Sequence, residues 1–256
     1  MPTNLLACRP QSFGQCEKDA FKLMAELGIK NVEMPVPEEK DWPARHAEIK
    51  KYGLTVTSVS GGANLSEADA IQKVTHLAKG AKEFGAKIIF LSVKTGGRNV
   101  EECYKLIREM GDIVKAHGAT LALETHPDMV TNADIGVKTV TAVNHPNVKL
   151  NYDCSNLYYY NEGVDHIAEL KKFLPHTIAV HLKASQGKPK DWWFPALHES
   201  GDIINYPEIF RLCNAAGFYG PFTMEIEGIQ GEKISDETAI ARVANSVKYL
   251  KSIKVI

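Results

Sequence analysis

Residues 116–126 read Ala-His-Gly118-Ala-Thr120-Leu-Ala-Leu-Glu124-Thr-His126. A helical run stops at a glycine, a short apolar run starts two residues later, and that run closes on a carboxylate. Glycine just past a helix takes the left-handed conformation without a Cβ penalty, so Gly118 marks a junction from helix to strand. In an extended chain Thr120, Ala122, Glu124 and His126 share one face, and Leu121 and Leu123 share the other. Small and polar residues opposite bulky apolar ones describe a strand that lines a narrow barrel and backs onto helices.

The same junction recurs around Gly28, Gly53, Gly85 and Gly217. The pattern predicts strands beginning near Asn4, Asn31, Thr55, Lys87, Thr120, Val148, Thr177 and Phe222. They alternate with helices over 18–27, 43–52, 67–84, 101–117, 132–143, 164–173, 206–216 and 236–251. Ser66 and Asn99, each followed by acidic residues, are the expected N-caps of the third and fourth helices. Strand–helix alternation over 256 residues predicts an α/β fold, a single (β/α)8 TIM barrel spanning residues 1–256. A doubly wound open sheet would more usually stop at five or six strands and carry a glycine-rich phosphate turn. The chain has neither GxGxxG nor GxxxxGK[ST]. One connection breaks the rhythm: an inserted loop at about 185–205, with Trp192, Trp193 and His198, reads as a lid or substrate wall at the barrel mouth.

Three further apolar runs close on polar residues: Asp153 after Val-Lys-Leu-Asn-Tyr, His181 after Thr-Ile-Ala-Val and Glu225 after Phe-Thr-Met. Alone, a strand-end carboxylate commonly caps a helix, and a strand histidine is commonly a hydrogen-bonded core residue. Four such residues at the carboxyl ends of parallel strands converge on one mouth, where barrel chemistry sits. Glu124, Asp153, His181 and Glu225 form a hard donor set for one divalent ion. Mn²⁺ is the first choice, Mg²⁺ and Co²⁺ suit it, and Zn²⁺ is tolerated.

Composition narrows the partners. Thirty basic residues against thirty-one acidic ones leave a net charge of −1, with no field to attract nucleic acid or anionic lipid. The five cysteines lack CxxC spacing, and neither a signal-peptide pattern nor an 18-residue apolar run occurs. These features predict a cytoplasmic protein acting on a small molecule, with no membrane and no nucleic-acid partner; a homo-oligomer is compatible with them.

Four motifs carry a family resemblance: Leu-Glu124-Thr-His126, Asn-Tyr-Asp153-Cys-Ser-Asn156, Val-His181-Leu-Lys183 and Gly217-Phe-Tyr-Gly220-Pro-Phe-Thr-Met-Glu225-Ile-Glu227-Gly. In strand order and over nearly the whole chain they resemble the xylose isomerase-like TIM-barrel superfamily. This sugar phosphate isomerase/epimerase group includes ketose 3-epimerases, hydroxypyruvate isomerase and inosose dehydratase. The resemblance implies that the four ligands bind the metal and that Glu124 and Glu225 also serve as the acid/base pair. It departs at Asn156, where the epimerases usually place a histidine; an amide can hydrogen-bond a hydroxyl but cannot titrate.

The donor set supports proton transfer next to a carbonyl. A divalent ion on a ketone oxygen and the adjacent hydroxyl makes the α-proton removable and stabilises the enediolate, and two carboxylates then remove and return protons. Return on the other face is epimerisation, return at the neighbouring carbon is isomerisation, and loss of a β-hydroxyl is dehydration. The expected function is a metal-dependent isomerase or epimerase of a small keto-sugar or polyol. A lyase of the inosose or dehydroshikimate dehydratase kind, or one eliminating from a 3-keto-glycoside, is the alternative. An endonuclease-IV-like nuclease would need further metal ligands and a basic groove, and a non-catalytic sugar-binding barrel leaves the ligand set unexplained. Expected substrate contacts are Glu33, His126, Asn156, Lys183, Trp192, Trp193, His198 and Glu227, with Glu33 and Glu227 free to pair instead with Lys94 or Arg98.

Overall fold

A computed structural model describes residues 3–256. Eight parallel strands close into a barrel: β1 (Leu6–Cys8), β2 (Asn31–Pro35), β3 (Thr55–Asn64), β4 (Ile88–Lys94), β5 (Thr120–Glu124), β6 (Val148–Asp153), β7 (Thr177–Leu182) and β9 (Phe222–Met224). Closure is through β1 and β9, with Ala7 opposite Thr223. The remaining strands, β8 (Trp193–Phe194) and β10 (Gly228–Ile229), form an antiparallel ribbon outside the barrel.

Helices surround the barrel: α1 (Ala20–Glu26), α2 (Trp42–Lys51), α3 (Ala70–Phe84), α4 (Val100–Ala116), α5 (Ala133–Val143), α6 (Cys154–Tyr160), α7 (His166–Phe173), α8 (Tyr206–Ala215) and α9 (Asp236–Ser252). The glycine junctions lie where expected: Gly85 and Gly118 have φ of 76° and 77°, which only glycine adopts freely. Asn99 caps α4 by accepting from the Glu101 N–H. Ser66 is not a cap. Its N–H and hydroxyl both donate to Asn64 Oδ1, and α3 starts four residues later at Ala70. The periodicity did not reveal α6, the ribbon strands β8 and β10, or the 3₁₀ turns over Pro10–Asp19, Glu39–Asp41 and Leu174–His176. Each is too short or too irregular to show a periodic pattern.

Parity divides the strands as their sequence implies. Leu121, Leu123, Val180, Leu182, Phe222 and Met224 are fully buried in the apolar layer between strands and helices. Each contributes about 1.5–3 kcal/mol of burial. Truncating one, as in Leu123→Ala, costs about 2–5 kcal/mol through lost contacts and a residual cavity. On the opposite face Ala122 and Ala179 keep the interior narrow, and the next inward positions along these strands, Glu124 and His181, reach the mouth.

The 185–205 segment is packed rather than loose. Asp202 gathers its base by accepting from the N–H groups of Ser185, His198 and Ile204 and from the Tyr206 hydroxyl. Its middle forms the ribbon with β10, and the Leu197 N–H donates to Ser246 Oγ on α9. The five cysteines are buried free thiols. Among the described residues no helix is long and apolar enough to cross a membrane.

Candidate active site

The strand registers bring the four expected ligands together. Asp153 pairs with His181 across β6 and β7, and Glu124 lies opposite Asn151, two residues before Asp153. Glu225 follows β9, whose Thr223 sits opposite His181. One ligand atom from each of Glu124, Asp153, His181 and Glu225 lies within 4.8 Å of every other, and all four side chains are buried.

The geometry centres on one imidazole nitrogen. His181 Nδ1 lies 3.2 Å from Glu124 Oε1, 3.2 Å from Glu225 Oε2 and 3.8 Å from Asp153 Oδ2. The other ring nitrogen, Nε2, lies 3.1 Å from Glu33 Oε1. Glu33 is itself fixed by Ser58, whose hydroxyl donates to Oε2 at 2.6 Å. Metal-bound histidines characteristically donate their second N–H to a carboxylate, which fixes tautomer and ring orientation. Glu33 meets that description: it is fully buried behind the imidazole and does not line the cavity.

Asp153 supplies a test of whether a cation fits. Its Oδ1 accepts from the Ser155 and Asn156 N–H groups at 2.8 Å and caps α6. Oδ2 is buried with no hydrogen-bond donor and faces the cluster. A buried carboxylate oxygen without a donor is costly unless a cation meets it. Three carboxylates and one imidazole are hard-to-borderline donors, and the cluster could hold a divalent ion.

Charge coupling in the bare cluster agrees. Burial alone would lower the His181 pKa, but Glu33 and Glu124 raise it to about 9, so the surrounding carboxylates favour positive charge at this position. Burial raises Asp153, and Lys183 only partly counters it. Glu124 is also pushed up by burial, yet His126 and His181 beside it hold it well below the usual carboxylate range.

The two glutamates differ in their partners. Glu124 Oε2 accepts from Ser92 Oγ at 2.6 Å and lies 2.5 Å from His126 Nδ1. Glu225 carries two permanent cations, Arg9 in close contact on Oε1 and Lys183 Nζ at 3.2 Å from Oε2. Lys183 also contacts Glu227, donates to Asn156 Oδ1 at 3.3 Å and lies 4.4 Å from the centre of the Phe194 ring.

A cavity of about 430 Å³ opens over this group. Of the expected contacts, His126, Asn156, Lys183, Trp192 and Glu227 line it. Trp193 does not: it pairs with Ile229 in the ribbon. Nor does His198, which stacks on Tyr249 at 4.2 Å beside α9. Neither Glu33 nor Glu227 pairs with Lys94 or Arg98; Arg98 reaches Glu102 instead, at 3.6 Å. Arg9, Phe90, Ser92, Tyr159 and Tyr160 also line the cavity and went unread in the sequence. Arg9 carried a signal, since it too follows a short apolar run, Leu-Leu-Ala-Cys. Phe90 carried none, being an aromatic within an apolar strand.

The xylose isomerase-like TIM barrel family model matches residues 21–253. Among solved structures, a xylose isomerase domain protein from Planctomyces limnophilus is 18% identical, with a TM-score of 0.77 over 98% of this chain and 96% of that one. A D-psicose 3-epimerase from Clostridium cellulolyticum is 16% identical, with a TM-score of 0.78 over 97% and 98%. The probable 3-DHS dehydratase AsbF from Bacillus anthracis is 18% identical, with a TM-score of 0.73 over 97% and 99%. At these identities the likeness concerns the fold. No curated protein matches the chain in sequence.

Proposed function

The chain belongs to the xylose isomerase-like TIM barrel family, and from that premise we propose that it is a divalent-metal-dependent isomerase or epimerase of a small keto-sugar or polyol. The observation that carries this reading is Asp153 Oδ2, buried without a hydrogen-bond donor and facing an imidazole nitrogen that Glu124 and Glu225 flank at equal distance. When bound by Glu124, Asp153, His181 and Glu225, the ion supplies Lewis-acid polarisation of a ketone and its neighbouring hydroxyl, which acidifies the adjacent C–H and stabilises the enediolate charge. Mn²⁺ is the preferred ion on donor hardness.

The protein's own groups then move the proton. Glu124 directs Oε1 to His181 and Oε2 to Ser92 and His126, whereas Glu225 directs Oε2 to His181 and Lys183 and Oε1 to Arg9, so each carboxylate would hold the ion through one oxygen while lining the cavity. The second oxygen of Glu124 touches His126, which lines the cavity and offers a path for its proton to solvent. Arg9 and Lys183 hold Glu225 in place from both sides. Asn156 and Glu227, tethered through Lys183, present polar atoms for substrate hydroxyls, while Phe90 and Phe194 exclude water. Deuterium wash-in from heavy water, followed by NMR over a panel of ketoses and ketopolyols with Mn²⁺ present, tests the reading. Exchange at the carbon beside the carbonyl supports it, and no exchange in any compound defeats it.

Elimination is the second reading, favoured by one observation: His126 sits on Glu124 within the cavity, where it can protonate a departing hydroxyl. Enone absorbance growing in the same reactions identifies that outcome.

A further inference from the structure

From the disposition of charge around the cavity we infer that the site selects an uncharged polyhydroxy ketone, a free ketose or a keto-glycoside, over phosphate esters and acids of the same skeleton. This rests on the proposed function and names the substrate class of that same site.

Arg9 and Lys183 are the permanent cations lining the cavity among the described residues, and neither is free. Arg9 Nη1 lies against Glu225, and its buried Nε, which makes no hydrogen bond, faces the Glu33 carboxylate at 3.8 Å. Lys183 is shared among Glu225, Glu227 and Asp153, the last at 3.9 Å. Glu33, Glu124, Asp153, Glu225 and Glu227 make five carboxylates against these two cations. A bound dication still leaves the group one negative charge in excess, in a setting where burial strengthens every charge interaction. A phosphate or remote carboxylate would enter with no free counter-charge, and specificity of this kind comes from repulsion as much as attraction.

The glycine-rich turn after β4, Lys94-Thr-Gly-Gly-Arg98, is the other place where the chain could have received a phosphate. It is already filled by an acid. Asp128 accepts from the Thr95 N–H at 2.9 Å and from the Thr95 hydroxyl, and Arg98 turns away to Glu102.

What the cavity offers instead is an apolar wall facing polar edges. Tyr159 meets Tyr160 and Trp192 edge-on at 4.9 and 5.8 Å, and Trp192 meets Phe194 at 5.2 Å. Rigid rings of this kind match the C–H face of a sugar, while Gln11, Asn156 and Glu227 meet hydroxyls at its edge.

The test uses matched compounds on the Mn²⁺-loaded protein: fructose, fructuronate and fructose 6-phosphate, which differ only at carbon six, and the same trios on the psicose and tagatose skeletons. Calorimetry gives affinity, and deuterium exchange is read in parallel. The neutral member should bind at least tenfold more tightly than both anions within whichever skeleton is accepted. Glu227→Gln, which releases Lys183 from one carboxylate, should narrow that gap several-fold. An anion binding as tightly as its neutral partner overturns the inference even if exchange is observed. Neutral binding without exchange upholds the inference while removing the isomerase reading. Binding by no member of any trio counts against both.

Discussion

Asp153→Asn separates the two jobs of one carboxylate. Oδ1 caps α6 through two backbone N–H groups, and an amide oxygen at that position accepts the same bonds. Oδ2 has no donor and faces the proposed ion, and the substitution replaces it with a neutral nitrogen. Without metal the variant should therefore stay within about 1 kcal/mol of wild type, since it loses only long contacts to His181 Nδ1 at 3.8 Å and Lys183 Nζ at 3.9 Å and sheds the cost of a buried charge. With metal the two should part. A ligand at one hundred times its dissociation constant stabilises the native state by about 2.7 kcal/mol. Unfolding entropy near 60 °C is about 2.1 cal/mol/K per residue. For 256 residues this comes to about 0.54 kcal/mol/K, so wild type should melt about 5 °C higher in Mn²⁺ than in EDTA. The Asn variant should show little of that rise. Asp153→Ala, which loses the cap as well, should melt about 2 °C below the Asn variant in both buffers, from the roughly 1 kcal/mol a cap contributes. Differential scanning calorimetry of the three proteins with and without metal reads all six values. A full Mn²⁺ shift in the Asn variant, or none in wild type, refutes the assignment of Oδ2 to an ion.

Glu124→Gln and Glu225→Gln should each lower turnover by about 10²–10⁴, as loss of a general acid or base does. Metal content measured in the same samples separates chemistry from ligation, and near-normal turnover removes that residue from the mechanism. Metal uptake should release a proton, because His181 is held protonated up to about 9. The sign is fixed by that direction: apparent affinity rises with pH and levels off above about 9, whereas the His181 contribution to metal-free stability is complete below about 6.5 and lost as pH rises through about 9. Calorimetric titration in buffers of different ionisation heat checks this, and pH-independent affinity between 6 and 9 contradicts it. Glu33→Gln should weaken metal binding about 10- to 100-fold through loss of the orienting partner of His181; unchanged affinity would reduce Glu33 to a packing residue. Trp192→Ala should weaken apparent substrate affinity and leave metal affinity alone, whereas Trp193→Ala should leave substrate affinity largely intact, because only Trp192 faces the cavity. Equal rises in KM for both would restore the whole 185–205 segment as a substrate wall.

The barrel and the convergence of Glu124, Asp153, His181 and Glu225 were legible in the sequence. Glycine junctions, two-residue parity and helical stripes are local patterns, written within a few residues of each position, and that is why β5, β6 and β7 began at the expected residues. The four residues were legible for a related reason: each lies at or within one residue of the end of its own strand, and parallel strands in a closed barrel must bring their carboxyl ends to one rim. Tertiary structure alone decided who stands beside them. Arg9 meets Glu225 because β1 closes against β9, a contact across more than two hundred residues that no local pattern encodes. Glu33 lies behind His181 rather than in the cavity, and Asp128 fills the turn after β4. Trp192 and Trp193 are neighbours in sequence, yet ribbon pairing with β10 aims one at the cavity and the other away. His198, four residues beyond the ribbon, is carried off to Tyr249. Which of two adjacent side chains faces a site is set by the register of a pairing between distant segments, and a one-residue change in that register would exchange them.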